Sequence, residues 1–530
     1  MYECPNCAAN LKFDIARQQL YCEACETVMD PYSFQKDRDA EEYDATVFTC
    51  PQCGGTLITE DTTAATFCSY CDSSTILDSR ISREKKPGYI IPFQKTKEDC
   101  RQAYRKLLRH AVFAPRALKD EAHIEKFRGI YMPFWVYDLK KEGPVSFLGF
   151  KDLRIDDYLV YRYYKIECDV YAEAKGLAYD ASRSFADGLG SAIAPFDLQE
   201  RKPFTPSFLS GFYADTSDVD QYEYLEEAKD IAEEENCQRF LEVGGCREYH
   251  PGEGDYRDVL SAALRPDNTE VKLAFLPVWF LSYRKGDQVA YAVVNGQTGK
   301  AAADIPVDFK KYLLASLLLA VPIFLLLNLF LVITPMNLLG IAATLATVSM
   351  VICYRQAGAL RACENGDDSY RGYYKVKKGF QQVSLKRKTK EVLFAVALES
   401  IPPILIPLVF FGRLDKDAVY TLGMLAVCLG VILLPHLAVN MIGYVRGQVK
   451  EPLSEGVKGI IYNAGKSLVG IVAALIILLL RPAADEFYYF GALGCMGMVV
   501  WTIFDLIKYH NRLTLRKLPQ LNRRGGDENA

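Results

Sequence analysis

The chain has 530 residues, half of them hydrophobic, and a formal net charge of -4. It is too long for a single core, and too nearly neutral to be a general polyanion binder, so any basic patch must be local. Apolar residues concentrate after Lys311, and no basic stretch, short apolar core and small-residue cleavage site stand at Met1, so residues 1–310 are expected to stay in the cytosol.

Eight of the sixteen cysteines fall in the first 71 residues as four Cys-x-x-Cys pairs. Cys4 and Cys7 are followed by Cys22 and Cys25; Cys50 and Cys53, by Cys68 and Cys71, an offset of 46. In a reducing cytosol, paired cysteines read as metal ligands or redox centres. A two-residue spacing aims both sulfurs of a knuckle at one ion, and two knuckles complete a tetrahedral thiolate shell of the kind zinc prefers. A thioredoxin-like redox role needs one such pair opening a helix in a βαβ setting, which this strand-rich repeat lacks. The expectation is two closed zinc ribbons, residues 1–30 and 49–80, holding two zinc ions. Gly54-Gly55 tolerates positive φ after the third knuckle, where the first unit has Ala8-Ala9. Leu11–Asp14 and Thr56–Thr59 read as strands, and Gln19–Tyr21 and Thr66–Phe67 lead into the second knuckles. Units this small depend on metal for folding, on the order of 10–16 kcal/mol for a structural site.

Residues 31–48, with acids from Asp37 to Asp44, read as an acidic linker, and Arg83–Gly88 as a basic one. A mixed, β-rich α+β cytosolic domain is expected over residues 87–309. Tyr89–Phe93 reads as a strand, and Thr96 with Asp99 caps a helix running to about His110, with a short helix after Pro115. Ile130–Tyr137 and Ala274–Leu281 match as aromatic, apolar, Pro, apolar, Trp at an offset of 144. That pattern predicts a duplicated β-element with each Pro at an edge or bulge and each Trp a core anchor. Tyr158–Tyr179 suits antiparallel strands, Tyr222–Glu234 an acidic helix, and Asn295–Lys300 a turn closing a hairpin. The Gly-Lys of that turn lacks the spacing of a phosphate loop. The five histidines are isolated in sequence, and Cys100, Cys168, Cys237 and Cys246 read as buried thiols, so no catalytic residue is assigned.

An all-α multi-span membrane domain is expected over residues 310–508, with six helices at 312–334, 338–354, 392–411, 420–444, 467–480 and 490–507; the short fifth makes four the alternative count. Arg355–Lys390 carries ten Lys or Arg against three acids, which places it inside. A basic tail, 509–530, then lies in the cytosol with the N-terminus, in a multi-pass protein of the cell membrane. Glu399 in the third helix and His436 with Asn440 in the fourth are polar groups at membrane depth, beside helix-breaking Pro402-Pro403 and Pro435.

The ribbon Cys4–Cys25, the strand Tyr131–Trp135, and the run from Leu276–Trp279 through Asn295–Lys300 together resemble the TFIIB-type zinc-ribbon membrane proteins of Gram-positive bacteria. The resemblance covers roughly residues 1–310. It implies a membrane anchor in envelope stress whose partners are phage-shock or flotillin-like proteins; relatives of that kind often have one ribbon and fewer spans. The favoured function is a cytosol-facing adaptor for cytosolic or membrane-surface proteins. The alternatives are a transporter or channel with a zinc-ribbon regulatory domain, and a nucleic-acid-binding membrane protein. Residues 1–78 contain only Lys12, Arg17, Lys36 and Arg38 as cations, which argues against the last.

Overall fold

Alternating apolar residues build the first hairpin. β1 (Leu11–Asp14) and β2 (Gln19–Cys22) pair antiparallel with Phe13 opposite Leu20, and β3 (Val28–Met29) adds a third strand. Leu11, Phe13 and Leu20 are buried, as the period-two pattern requires. The structure, a computed structural model, describes residues 2–34, 42–59, 68–74, 78–155, 158–184, 187–242, 250–251, 255–330, 334–343, 345–346, 349, 470–478 and 480–517. The chain forms two units, one of Met1–Val112, Arg116–Asp304 and Arg516–Ala530, the other of Phe113–Pro115 and Ile305–Leu515.

Both expected linkers are corrected in part. β4 (Glu42–Thr49) pairs with β5 (Thr56–Ile58) and along its whole length with β6 (Asp78–Lys85). The acids of one segment stand across from the bases of the other: Glu42 faces Lys85 and Asp44 faces Arg83, with Arg83 Nε 3.7 Å from Asp44 Oδ1. The charges that imitate solvated linkers are cross-strand pairs, while Ala45 and Val47 point inward.

The rest of the first unit is in chain order β7 (Tyr89–Ile90), α1 (Lys97–His110), α2 (Glu121–Ile124), β8 (Arg128–Ile155), β9 (Tyr158–Asp180), α3 (Asp187–Ile193), β10 (Lys202–Pro203) and β11 (Tyr213–Ala214). There follow α4 (Leu225–Glu242), β12 (His250–Pro251), α5 (Asp255–Leu264), β13 (Asn268–Lys285), β14 (Gln288–Asn295) and β15 (Ala301–Ala303). The Thr96–Asp99 capping box forms as expected, each side chain accepting from the other's backbone N–H.

The repeated motif is a repeated fold. β8 and β13 run antiparallel side by side, Pro133 opposite Phe275 and Tyr131 opposite Pro277. Each has a hairpin partner, β9 or β14, and a short parallel neighbour, β11 on Ile130–Tyr131 or β7 on Ala274–Phe275. The backbone bonds correspond: Asp215 N–H donates to Tyr131 O and Ile91 N–H to Phe275 O, both at 3.0 Å. So do the tryptophans, whose Nε1–H groups donate to Val219 O and Lys95 O, both at 2.9 Å. The duplicated unit is therefore β-α-β-β, over 89–180 and 213–295, and each half lends its short first strand to the other half's long one.

Pro133 and Pro277 are not at an edge or bulge, as expected from sequence; both are buried inside the sheet. Each lies where one neighbouring strand has ended and the next has not begun. β11 stops opposite Tyr131 and β9 starts opposite Phe134; β7 stops opposite Phe275 and β14 starts opposite Val278. A missing N–H breaks no ladder there. The carbonyls are used, accepting from Ala181 N–H at 2.9 Å and Gly296 N–H at 2.8 Å.

In the second unit, Asp308 caps α6 (Phe309–Phe330), its Oδ1 accepting from Lys310 and Lys311 N–H. α7 (Glu486–Thr514) is longer than the expected span 490–507, with 29 residues, and is the one described helix that is long and apolar enough to cross a membrane. Small residues, Ala342, Ala343, Ala346, Ala474, Ala492 and Cys495, let the helical segments 335–343 and 470–478 pack closely with α7. The described residues do not support an all-α multi-span domain beyond this one candidate helix. The expected spans 392–411 and 420–444, with Glu399, His436 and Asn440, lie outside the described residues. The expected basic tail begins as the last turns of α7, and β16 (Arg516–Lys517) then pairs with β14, Arg516 meeting Asp304 at 3.4 Å.

Candidate metal centres

Four turns of one design hold the eight cysteines. In each, the first cysteine's carbonyl accepts from the N–H four residues on: Cys4 from Ala8, Cys22 from Glu26, Cys50 from Gly54, Cys68 from Asp72, at 2.8–3.1 Å. Each first cysteine's own N–H donates to the carbonyl one residue further, on Ala9, Thr27, Gly55 and Ser73. Closing the turn forces positive φ at the fourth residue: 59° at Ala8, 60° at Glu26, 76° at Gly54 and 52° at Asp72. Three knuckles therefore hold a side chain in the left-handed region, which costs about 1–2 kcal/mol at a non-glycine residue.

The turns bring the sulfurs together in two groups, Cys4, Cys7, Cys22, Cys25 and Cys50, Cys53, Cys68, Cys71, with all sulfurs of a group within 4.8 Å of one another. In the first, Cys4 and Cys25 Sγ are 3.5 Å apart and Cys7 and Cys22 Sγ 3.4 Å; in the second, Cys50–Cys71 and Cys53–Cys68 are 3.8 and 3.6 Å. A tetrahedral ion with about 2.3 Å bonds to sulfur places its ligands about 3.8 Å apart, so both groups are positioned to hold a metal ion. At Cys25 nearby donors favour the thiolate: the Thr27 hydroxyl, 3.1 Å from Cys25 Sγ, and then the Thr27 N–H lower the Cys25 thiol to about 6. At the second site the Gly55 N–H donates to Cys53 Sγ at 3.4 Å.

The two sites differ in burial. Cys50, Cys53, Cys68 and Cys71 are all at most 1% exposed, whereas Cys7 is exposed and Cys25 half-buried. The second ribbon is part of the body's core: Ile58 of β5 pairs with Ala214, and the Thr56 and Thr216 hydroxyls meet at 2.7 Å. Arg284 donates to Gln52 Oε1, and Tyr70 packs against Phe280. A Cβ on Gly55 would lie 2.6 Å from the Tyr70 ring, so this glycine is needed for space. The first ribbon keeps a sheet of its own and docks on the body through Phe13 N–H to Ser210 O, the Ser210 hydroxyl to Leu11 O, Gln18 Nε2 to Phe93 O, and Phe13 against Phe208 and Phe212.

Sequence reasoning missed Asp215, which corresponds to Ile91 in the other half of the duplication. Fully buried, it accepts from the Ser182 hydroxyl and the Thr216 N–H and lies beside the Tyr70 hydroxyl; burial pushes its carboxyl up to about 7. The turn Asn295–Lys300 is structural: Asn295 Oδ1 accepts from Gln297 and Thr298 N–H, and Lys300 Nζ donates to Ala194 O. Cys100 is a buried thiol whose pKa burial raises; Cys168 and Cys237 are half-buried, and Cys246 lies outside the described residues. Among the described residues no histidine joins a metal-binding group.

No known protein family model matches the chain, and no solved structure does. The chain is 28% identical over 316 residues to a Bacillus subtilis (strain 168) protein described as "Uncharacterized protein YdjG", covering 58% of this chain and 90% of that one.

Proposed function

We propose that the chain is a zinc-binding, membrane-anchored adaptor that presents its ribbons and duplicated β-domain to partner proteins in the cytosol. The observation that carries this reading is the pair of four-sulfur groups, the second built into one sheet with the β-domain and the first on a three-stranded sheet of its own. Closed thiolate sites leave no position for water, so zinc there supplies folding energy and rigid loops, not a reaction. Zinc is favoured by the all-cysteine ligand sets and their spacing.

The anchor is α7 together with α6, whose exposed side chains include Leu313, Leu314, Leu317, Leu318 and Leu319. The charge pattern of residues 355–390 supports a six-span arrangement in the cell membrane with both termini in the cytosol. The resemblance to TFIIB-type zinc-ribbon membrane proteins supports a place in envelope stress, with phage-shock or flotillin-like partners.

The test is recovery of cross-linked partners from the full chain in mild detergent. The reading predicts protein partners lost when the N-terminal cysteines are replaced. Tight duplex DNA binding by the full chain at physiological salt, with no protein partner, overturns it.

A further inference from the structure

Past Lys140, β13 no longer accompanies β8, and the β8–β9 hairpin continues for fifteen more residues of β8 to Ile155. α5 covers one face near its base, where Leu260 and Leu264 pack with Val145 and Phe147 and, beside them, Ile166 and Val170. The other face of β9 shows Tyr161, Tyr163, Lys165, Glu167, Asp169 and Tyr171, all exposed. Among the described residues β9 pairs with β8 alone, so its second edge has no strand beside it.

Exposed edges are commonly protected by charges that repel a neighbour. Here the charges of residues 162–173 segregate by sign instead, with Lys175 beyond them paired to Glu173: Arg162 and Lys165 come first, then Glu167, Asp169 and Glu173. A strand of that kind repels a parallel copy of itself and attracts an antiparallel one.

We propose that β9 pairs antiparallel with β9 of a second copy of this chain, about a two-fold axis at Ile166. In this register Lys165 stands opposite Glu167 of the second copy, Tyr163 opposite Asp169, and Tyr161 opposite Tyr171, each twice by symmetry. On the other face, Ile166 meets its own mate. The register is specified by what happens beside it. An axis at Lys165 sets two lysines face to face, and an axis at Glu167 sets two glutamates face to face. The Glu167 axis also brings Lys165 opposite Asp169 and Tyr163 opposite Tyr171, so what singles out the Ile166 register is that it combines opposed charges and a tyrosine pair with no like charges face to face. The interface is isologous, as a closed dimer requires, and stands independently of the metal content and of the adaptor reading.

The experiment is the mass of the full chain, purified in mild detergent, by light scattering corrected for bound detergent. The wild-type chain is expected to be a dimer. Glu167→Lys puts like charges opposite each other at both symmetry-related positions and is expected to raise the dimer dissociation constant by about tenfold or more. Adding Lys165→Glu to it restores opposite signs and is expected to restore the dimer. These residues are exposed, and unchanged metal content with an unchanged circular dichroism spectrum verifies the fold. As a second reading, Tyr161→Cys combined with Tyr171→Cys is expected to give a disulfide-linked dimer on oxidation that neither single substitution gives. Ten residues of strand, about 33 Å, keep the two positions from bridging within one chain. A monomeric wild-type chain, a dimer indifferent to Glu167→Lys, or a double charge variant that stays monomeric overturns the proposal.

Discussion

Tyr70, between the candidate metal ligands Cys68 and Cys71, lies edge-on to Phe280 of the duplicated domain, with ring centroids 5.8 Å apart and planes at 68°. This contact joins the second metal site to the body's core, since Tyr70 is fully buried and its hydroxyl lies beside the buried Asp215. Tyr70→Ala removes a large ring from that junction. It is expected to cost about 3 kcal/mol or more in denaturant unfolding of the full chain, whereas Tyr32→Ala, at a half-buried residue just after the first ribbon, is expected to cost less.

The unequal burial of the two sites predicts unequal metal exchange. With Cys7 exposed, a chelator is expected to strip the first site within a time that leaves the second loaded. Cys4→Ser should release one ion and leave the sheet intact. Cys50→Ser should release the other and destabilise the body, the first ribbon keeping its metal. Loss of both ions at one rate would contradict the burial argument.

Asp215 predicts a pH dependence. Its folded-state carboxyl titrates near 7, above the ordinary 3.8, so the folded chain holds that proton where the unfolded chain has released it. Its stability contribution is therefore present at low pH and fades as the pH rises from about 4 to about 7. Asp215→Asn, which keeps the shape without the charge, is expected to gain stability relative to wild type at pH 8 and to show a smaller advantage at pH 5.5, midway through that window. Unfolding both proteins at both pH values with saturating zinc cancels the metal's own proton competition.

The four knuckles predict opposite effects for glycine and alanine. Ala8→Gly relieves a left-handed alanine and is expected to stabilise the first ribbon by up to about 1 kcal/mol, while Gly54→Ala is expected to cost about 1 kcal/mol at the second. Thermal unfolding with metal bound reads both.

How far the sequence reaches depends on whether its signal is local. The cysteine spacing, the Thr96–Asp99 capping box and the Pro-x-Trp repeat are fixed by neighbouring residues, and the structure brings together the cysteines, the capping box and the duplicated strands with their tryptophans as read. The prolines were misplaced because a sheet interior normally needs every N–H, and only the arrangement of four other strands shows that Pro133 and Pro277 sit where none is needed. Glu42–Asp44 and Arg83–Lys85 look like linkers until they are paired across about forty residues of sequence. Asp215 gave no signal at all: its burial comes from the second ribbon closing over it.

The most direct measurement of the central claim is the metal content of the purified full chain by elemental analysis. Two zinc ions per chain, falling to one in Cys50→Ser with the loss confined to the second site, is the predicted result. One metal ion per chain, or iron in place of zinc, would contradict it.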